Sequence, residues 1–197
     1  MHTEHLIERV GLLTLILLGE SVISLSAGLA NINWTVVRLM TAATGFVTIS
    51  SLWWVYFDSF HLLSRQKLAT GHSVAYSHLF VFIGLSILAS LIRHAILDDM
   101  QVSDFRILLV IGTVCFFIGK QYAYFMERPE LRRQLVVNTL VVFVLTGLAL
   151  LLPRASYILL GLTATVICYA FLSLKYLTVP RGRQDHPRNS AITGDQP

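Results

Sequence analysis

YSHLFVFIGLSILASLIRHAIL, residues 76–97, is the stretch that decides the fold. Between Leu79 and Ile92 it carries no charged residue, and its only polar side chains are the hydroxyls of Ser86 and Ser90. A helix needs about 20 predominantly apolar residues to cross a hydrocarbon core of roughly 30 Å. These 22 residues suffice. A barrel strand would alternate in polarity and stop after about ten residues, so the run predicts a membrane-spanning helix.

Five further runs of the same kind surround it, at roughly 10–30, 36–57, 106–126, 135–152 and 156–177, with short links between them. The expected fold class is therefore an all-α membrane protein, a bundle of six transmembrane helices occupying residues 1–178. Residues 179–197 are polar and without apolar periodicity, and are expected to form a disordered cytoplasmic tail. Composition agrees: 13% of residues are charged, against about 25% in a soluble domain.

The basic residues give a direction. Eleven of the fifteen Lys and Arg fall on the side that carries both termini, and four (Arg38, Arg93, Arg106 and Arg154) on the other. Positively charged links stay in the cytoplasm, so both termini are expected to be cytoplasmic in a multi-pass protein of the cell (inner) membrane. The far side has the acidic loop LDDMQVSD, residues 97–104. This topology accounts for the basic isoelectric point without nucleic acid, for which no soluble basic face exists. Cys115 and Cys168 lie in apolar runs and read as small buried residues. No GxSxG, HExxH or Cys/His cluster is present, so neither a catalytic residue, a metal site nor a cofactor is expected, and the chain is not read as an enzyme.

Polar residues inside the spans are the remaining signal, because in hydrocarbon each requires a partner. Thr14, Ser21, Ser24 and Gly28 recur along one stripe of the first span, and Glu20 is expected to share it. Thr41, Thr44, Thr48, Ser51 and Asp58 recur at helical spacing in the second. Such a stripe serves either close helix packing, with hydroxyls bonded back to their own backbone, or a wet crevice. In the third span His78 needs a partner, and Asp58, at similar depth on the preceding helix, is the expected one. Ser86, Ser90 and Arg93 share a face. Arg93 and His94 are expected to reach the far surface and meet Asp98 or Asp99. Trp53, Trp54, Tyr56 and Phe57 read as a headgroup belt. Gly112, Cys115 and Gly119 allow close helix contact, and Lys120 is expected to snorkel. By this reading the chemistry is concentrated in spans one to three.

Three motifs then resemble a known family: HLIERVGLLTLILLGES (5–21), WWVYFD (53–58) and YSHLFVFIGLSILA (76–89). Their content and order are similar to the bacterial low-temperature-requirement A (LtrA) membrane proteins, over about residues 5–97. The resemblance implies Glu8, Arg9, Gly19, Glu20, Ser21, Asp58 and His78 as family-motif positions. It implies no biochemical activity. Typical members are about twice this length and carry the first motif at the start of their second half. The chain therefore resembles a C-terminal half, expected to self-associate or to pair with a second six-span half.

Two functions compete. One is a proton- or cation-linked transporter or channel, with Glu20, Ser21, Ser24, Thr44, Thr48, Ser51, Asp58 and His78 along a polar path and a proton or small ion as substrate. It rests on the rule that intramembrane carboxylates and histidines mark ion pathways. The alternative is a non-transporting membrane scaffold or stress-response protein that acts through helix packing and partners.

Overall fold

The computed structural model describes residues 3–30, 32–64, 71–127 and 129–177. Among them every regular element is helical: α1 (Thr3–Gly28), α2 (Val36–Ser64), α3 (Gly71–Leu97), α4 (Val102–Glu127), α5 (Arg132–Ala149) and α6 (Ala155–Leu177), with a 3-10 turn at Pro129–Leu131. All six are long and apolar enough to cross a membrane. The expected tail, 179–197, lies outside the described residues.

Local chemistry sets several helix ends. Thr35 precedes α2, and its Oγ1 accepts the backbone N–H of Arg38 at 3.3 Å, an N-cap bond. At the end of α3, Asp98 takes the left-handed conformation (φ 56°) and its N–H returns to the carbonyl of His94 at 2.9 Å. The fifth helix stops at Ala149, short of the expected 152. Pro153 disfavours helical geometry in Leu152 before it, so the chain leaves the helix in a turn.

The helices close a ring in the order α1, α2, α6, α5, α4, α3, with α3 also touching α2 and α6 across it. The α3–α4 seam is the most extensive, and glycines explain why. A Cβ on Gly84 would lie 2.5 Å from the backbone nitrogen of Phe116, and one on Gly119 would lie 2.6 Å from the carbonyl of Ser77. Gly112 is nearly as tight, 3.0 Å from Ile87. The two backbones approach that closely only because these side chains are absent.

The distribution of polarity is inverted relative to a soluble bundle. Leu12, Ile16, Met40, Leu140 and Phe171 face outward, whereas Thr14, Thr48, His78, Lys120 and Gln121 are buried. Outward leucines are stable against lipid, and inward Thr14, Thr48, His78 and Lys120 find hydrogen-bond partners. Phe105, Phe116, Phe117 and Tyr169 fill the centre alongside Leu85, Leu88 and Leu162. The chain is a multi-pass helical membrane protein.

Candidate functional site

The buried polar groups form three clusters between helices, and the sequence-predicted residues divide unevenly among them.

The first joins α1, α2 and α3. His78 is 6% exposed, and both its ring nitrogens are engaged. Nδ1 lies 2.7 Å from the carbonyl oxygen of Val74, one turn back, and Nε2 lies 2.9 Å from the phenol oxygen of Tyr56. Ser77 Oγ, 3.3 Å from Nδ1, donates to the same carbonyl. The Tyr56 hydroxyl is also hydrogen-bonded to Thr14, whose single proton serves either the phenol oxygen or the carbonyl of Val10, 2.9 Å away. Thr14 is fully buried and Tyr56 nearly so. A carbonyl only accepts, so Nδ1 carries a proton, and the neutral ring offers Nε2 as an acceptor for the Tyr56 hydroxyl.

This corrects two expectations. The partner of His78 is Tyr56, not Asp58. Asp58 sits two residues further along α2, about 200° around the helix, and is half-buried six residues before the helix ends. Tyr56 therefore faces inward instead of joining the expected aromatic belt, whereas Trp53 and Trp54 are exposed at the surface.

The second cluster is the hydroxyl stripe of α2. Thr41, Thr44 and Thr48 each bond back to their own helix, to Val37, Met40 and Thr44. Thr48 also lies 2.6 Å from Thr163 Oγ1 on α6, and both are buried. Ser51 is half-buried. The stripe is a packing face with one interhelical bond.

Glu20 is placed elsewhere. Thr14, Ser21 and Gly28 are buried and Ser24 is half-buried, but Glu20 and Gly19 are exposed on the outer face of α1. The reason is geometric: six residues after Thr14, at about 100° each, Glu20 lies a third of a turn from Thr14 and just beyond the edge of the buried arc. No side-chain hydrogen bond or ion pair of Glu20 occurs among the described residues. Ser21 donates to the carbonyl of Leu17 at 2.8 Å. Ser86, Ser90 and Arg93 likewise lie on an outer face, that of α3. Gly28 rests against the Arg93 stem, since a Cβ there would be 3.3 Å from Arg93 Cγ. His94 meets Asp99 at 2.6 Å, as expected. Glu8 is exposed, 3.7 Å from His5, and Arg9 is exposed beside it.

The third cluster was missed by the sequence reading. Lys120 does not snorkel. It is 6% exposed, its Nζ donates to the Tyr169 phenol at 3.0 Å, and the ammonium sits 4.8 Å from the Tyr169 ring centre and 5.9 Å from that of Tyr124. Beside it Gln121 Oε1 accepts from Thr139 on α5, while Gln121 Nε2 and Ser173 Oγ are buried with no partner among the described residues. Tyr169 was the available signal: a tyrosine at mid-span, away from both interfaces, requires a polar partner.

No curated protein and no solved structure matches the chain. The family model described as "Bacterial low temperature requirement A protein (LtrA)" matches residues 1–171, well past the 5–97 covered by the three motifs. With six packed spans and that match over most of its length, the chain belongs to the bacterial low-temperature-requirement A family.

Proposed function

We propose that the chain is a proton- or cation-linked transporter or channel of the cell (inner) membrane, and that its ionisable step lies at His78 and Tyr56. One observation carries this reading: the direction of the Thr14–Tyr56–His78 hydrogen bonds depends on whether His78 holds one proton or two. With neutral imidazole, Tyr56 donates its O–H to Nε2. When Nε2 gains a proton it becomes a donor to the phenol oxygen. The Tyr56 hydroxyl then donates to Thr14 Oγ1, and the Thr14 hydroxyl donates to the Val10 carbonyl. Tyr56 stays neutral throughout. Protonation at one buried group thus reorients a bond that joins three helices, which is the kind of local change a coupled carrier needs.

The test is proton uptake by proteoliposomes containing the purified chain after an acid step, read with an internal pH dye. The wild type should acidify the lumen faster than empty vesicles. His78→Gln and Tyr56→Phe should abolish the excess, while Glu20→Gln, on the outer face, should retain it. Equal rates for wild-type and empty vesicles across proton and monovalent-cation gradients would remove the proposal.

Glu20 favours a second reading, a scaffold acting through partners. A carboxylate at hydrocarbon depth on an outward face calls for a donor on another helix. On this reading Glu20→Cys should form cross-links in native membranes, either between copies or to a second six-span half. Cys introduced at outward Phe171 should not.

A further inference from the structure

Between α4 and α5 the bundle opens. These two helices touch least of any neighbours in the ring and leave a groove of about 370 Å³, walled by Ile118, Phe125, Leu135, Leu140 and Phe143. It belongs to none of the contacts used above for transport. Leu140, Val136 and Ile118 on its rim are exposed, so the groove opens sideways to the bilayer rather than to water. From Leu135 to Phe143 it runs eight residues along α5, or about 12 Å at 1.5 Å per residue. That is most of the roughly 15 Å depth of one leaflet's hydrocarbon.

Its two ends differ. The deep end, at Ile118 and Phe143, is wholly apolar. At the other end Arg132 is held over Phe125: its Nε donates to the Phe125 carbonyl at 2.9 Å, and the guanidinium lies 5.0 Å from the ring centre. Arg133 follows in the same first turn of α5, and both are exposed. In sequence, residues 127–133 carry three cations (Arg128, Arg132 and Arg133) against two anions (Glu127 and Glu130), a net positive charge at this end. One turn deeper than Phe125, about 6 Å, the wall carries Gln121, the residue whose Nε2 lacks a partner.

We infer that this groove binds one anionic phospholipid. The phosphate pairs with Arg132 and Arg133, a glycerol ester carbonyl lies at the level of Gln121 as the acceptor its amide lacks, and an acyl chain fills the apolar end. A guanidinium suits phosphate geometry, and basic sites between spanning helices recognise anionic headgroups. The inference stands whether or not the chain transports anything.

Native mass spectrometry of the detergent-purified chain, offered phosphatidylglycerol or phosphatidylcholine of identical acyl chains, tests it. Two surface arginines correspond to a preference of up to about thirtyfold for the anionic lipid. Wild type should retain one phosphatidylglycerol in preference to phosphatidylcholine. The double variant Arg132→Gln/Arg133→Gln should retain the two equally, and Leu140→Trp, which fills the groove from an exposed position, should retain neither. Equal retention of both lipids by the wild type overturns the inference, as does an unchanged preference in the arginine variant or unchanged retention in Leu140→Trp. Wild-type circular dichroism in each variant establishes that the loss is not one of folding.

Discussion

The phenol oxygen of Tyr56 lies 2.9 Å from His78 Nε2, joining α2 to α3 inside the bundle, where both side chains are buried. Removing the phenol oxygen leaves a buried ring nitrogen without its partner, and an unsatisfied buried polar group costs about 1–3 kcal/mol. Tyr56→Phe should therefore lower the thermal unfolding midpoint in detergent, as should His78→Phe. The double variant, with both partners apolar, should be less destabilised than the sum of the two. Additivity in that cycle would show that the bond contributes nothing.

The Thr48–Thr163 pair offers a smaller effect with a distinctive pattern. Two hydroxyl protons have three places to go: the Thr44 carbonyl, the Leu159 carbonyl and the partner oxygen. One carbonyl bond is therefore given up whenever the interhelical bond forms. Interhelical side-chain bonds in membranes average about 0.6 kcal/mol. Thr48→Val and Thr163→Val should each cost about that much, and the double variant about the same as either. A double-mutant cycle in detergent reads this directly, and losses well above 2 kcal/mol would mean that shape, not bonding, dominates the contact.

Much of this architecture was legible in the sequence because bilayer thickness translates directly into run length. All six spans are visible in that way, whereas their ends are not: α1 begins at Thr3 rather than 10, α2 continues to Ser64 rather than 57, and α5 stops at Ala149 rather than 152. The outward-facing and inward-facing polar residues were not separable by the same means. Glu20 and Ser21 are neighbours in sequence, yet one faces out and the other in, and a 100° step is finer than a stripe drawn through Thr14, Ser24 and Gly28 resolves. The His78 partner failed for a related reason. Charge and depth favour Asp58, whereas Tyr56 has the correct azimuth but follows Trp53 and Trp54, whose run reads as an interface. Lys120 was judged by its distance from the helix end, and Tyr169, which binds it, is 49 residues away in sequence.

The α3–α4 seam should be the least tolerant surface of the molecule. At Gly84 and Gly119 the atoms a new methyl would meet belong to the opposite backbone, at 2.5 and 2.6 Å. Backbone cannot rotate out of the way, so the helices must separate. Overpacking of this kind costs typically about 1–3 kcal/mol. Gly84→Ala and Gly119→Ala should both lower the unfolding midpoint, whereas Gly147→Ala, where a Cβ meets nothing within 4 Å, should leave it unchanged or raise it. Helix propensity favours alanine by about 1 kcal/mol at such an open site. Equal midpoints for all three would mean that the seam is looser than its geometry.

Lys120 yields a prediction whose sign separates structure from function. Its ammonium is buried with a phenol and two ring faces as company, and no carboxylate pairs with it among the described residues. Burying an ion is costly, and replacing one with an apolar side chain of similar length is often neutral or stabilising by about 1–4 kcal/mol. Lys120→Met should accordingly unfold at the same temperature as the wild type or higher. Tyr169→Phe should do the opposite, because it removes the hydrogen-bond acceptor that Nζ has among the described residues while leaving the amine in place. The two measurements together read the role of the residue. If Lys120→Met is destabilised as strongly as Tyr169→Phe, the lysine is part of the framework of α4 and α6. If it is stabilised, the chain keeps Lys120 at a net cost to folding, and proton-flux measurements on Lys120→Met vesicles become the measurement that says what that cost supports.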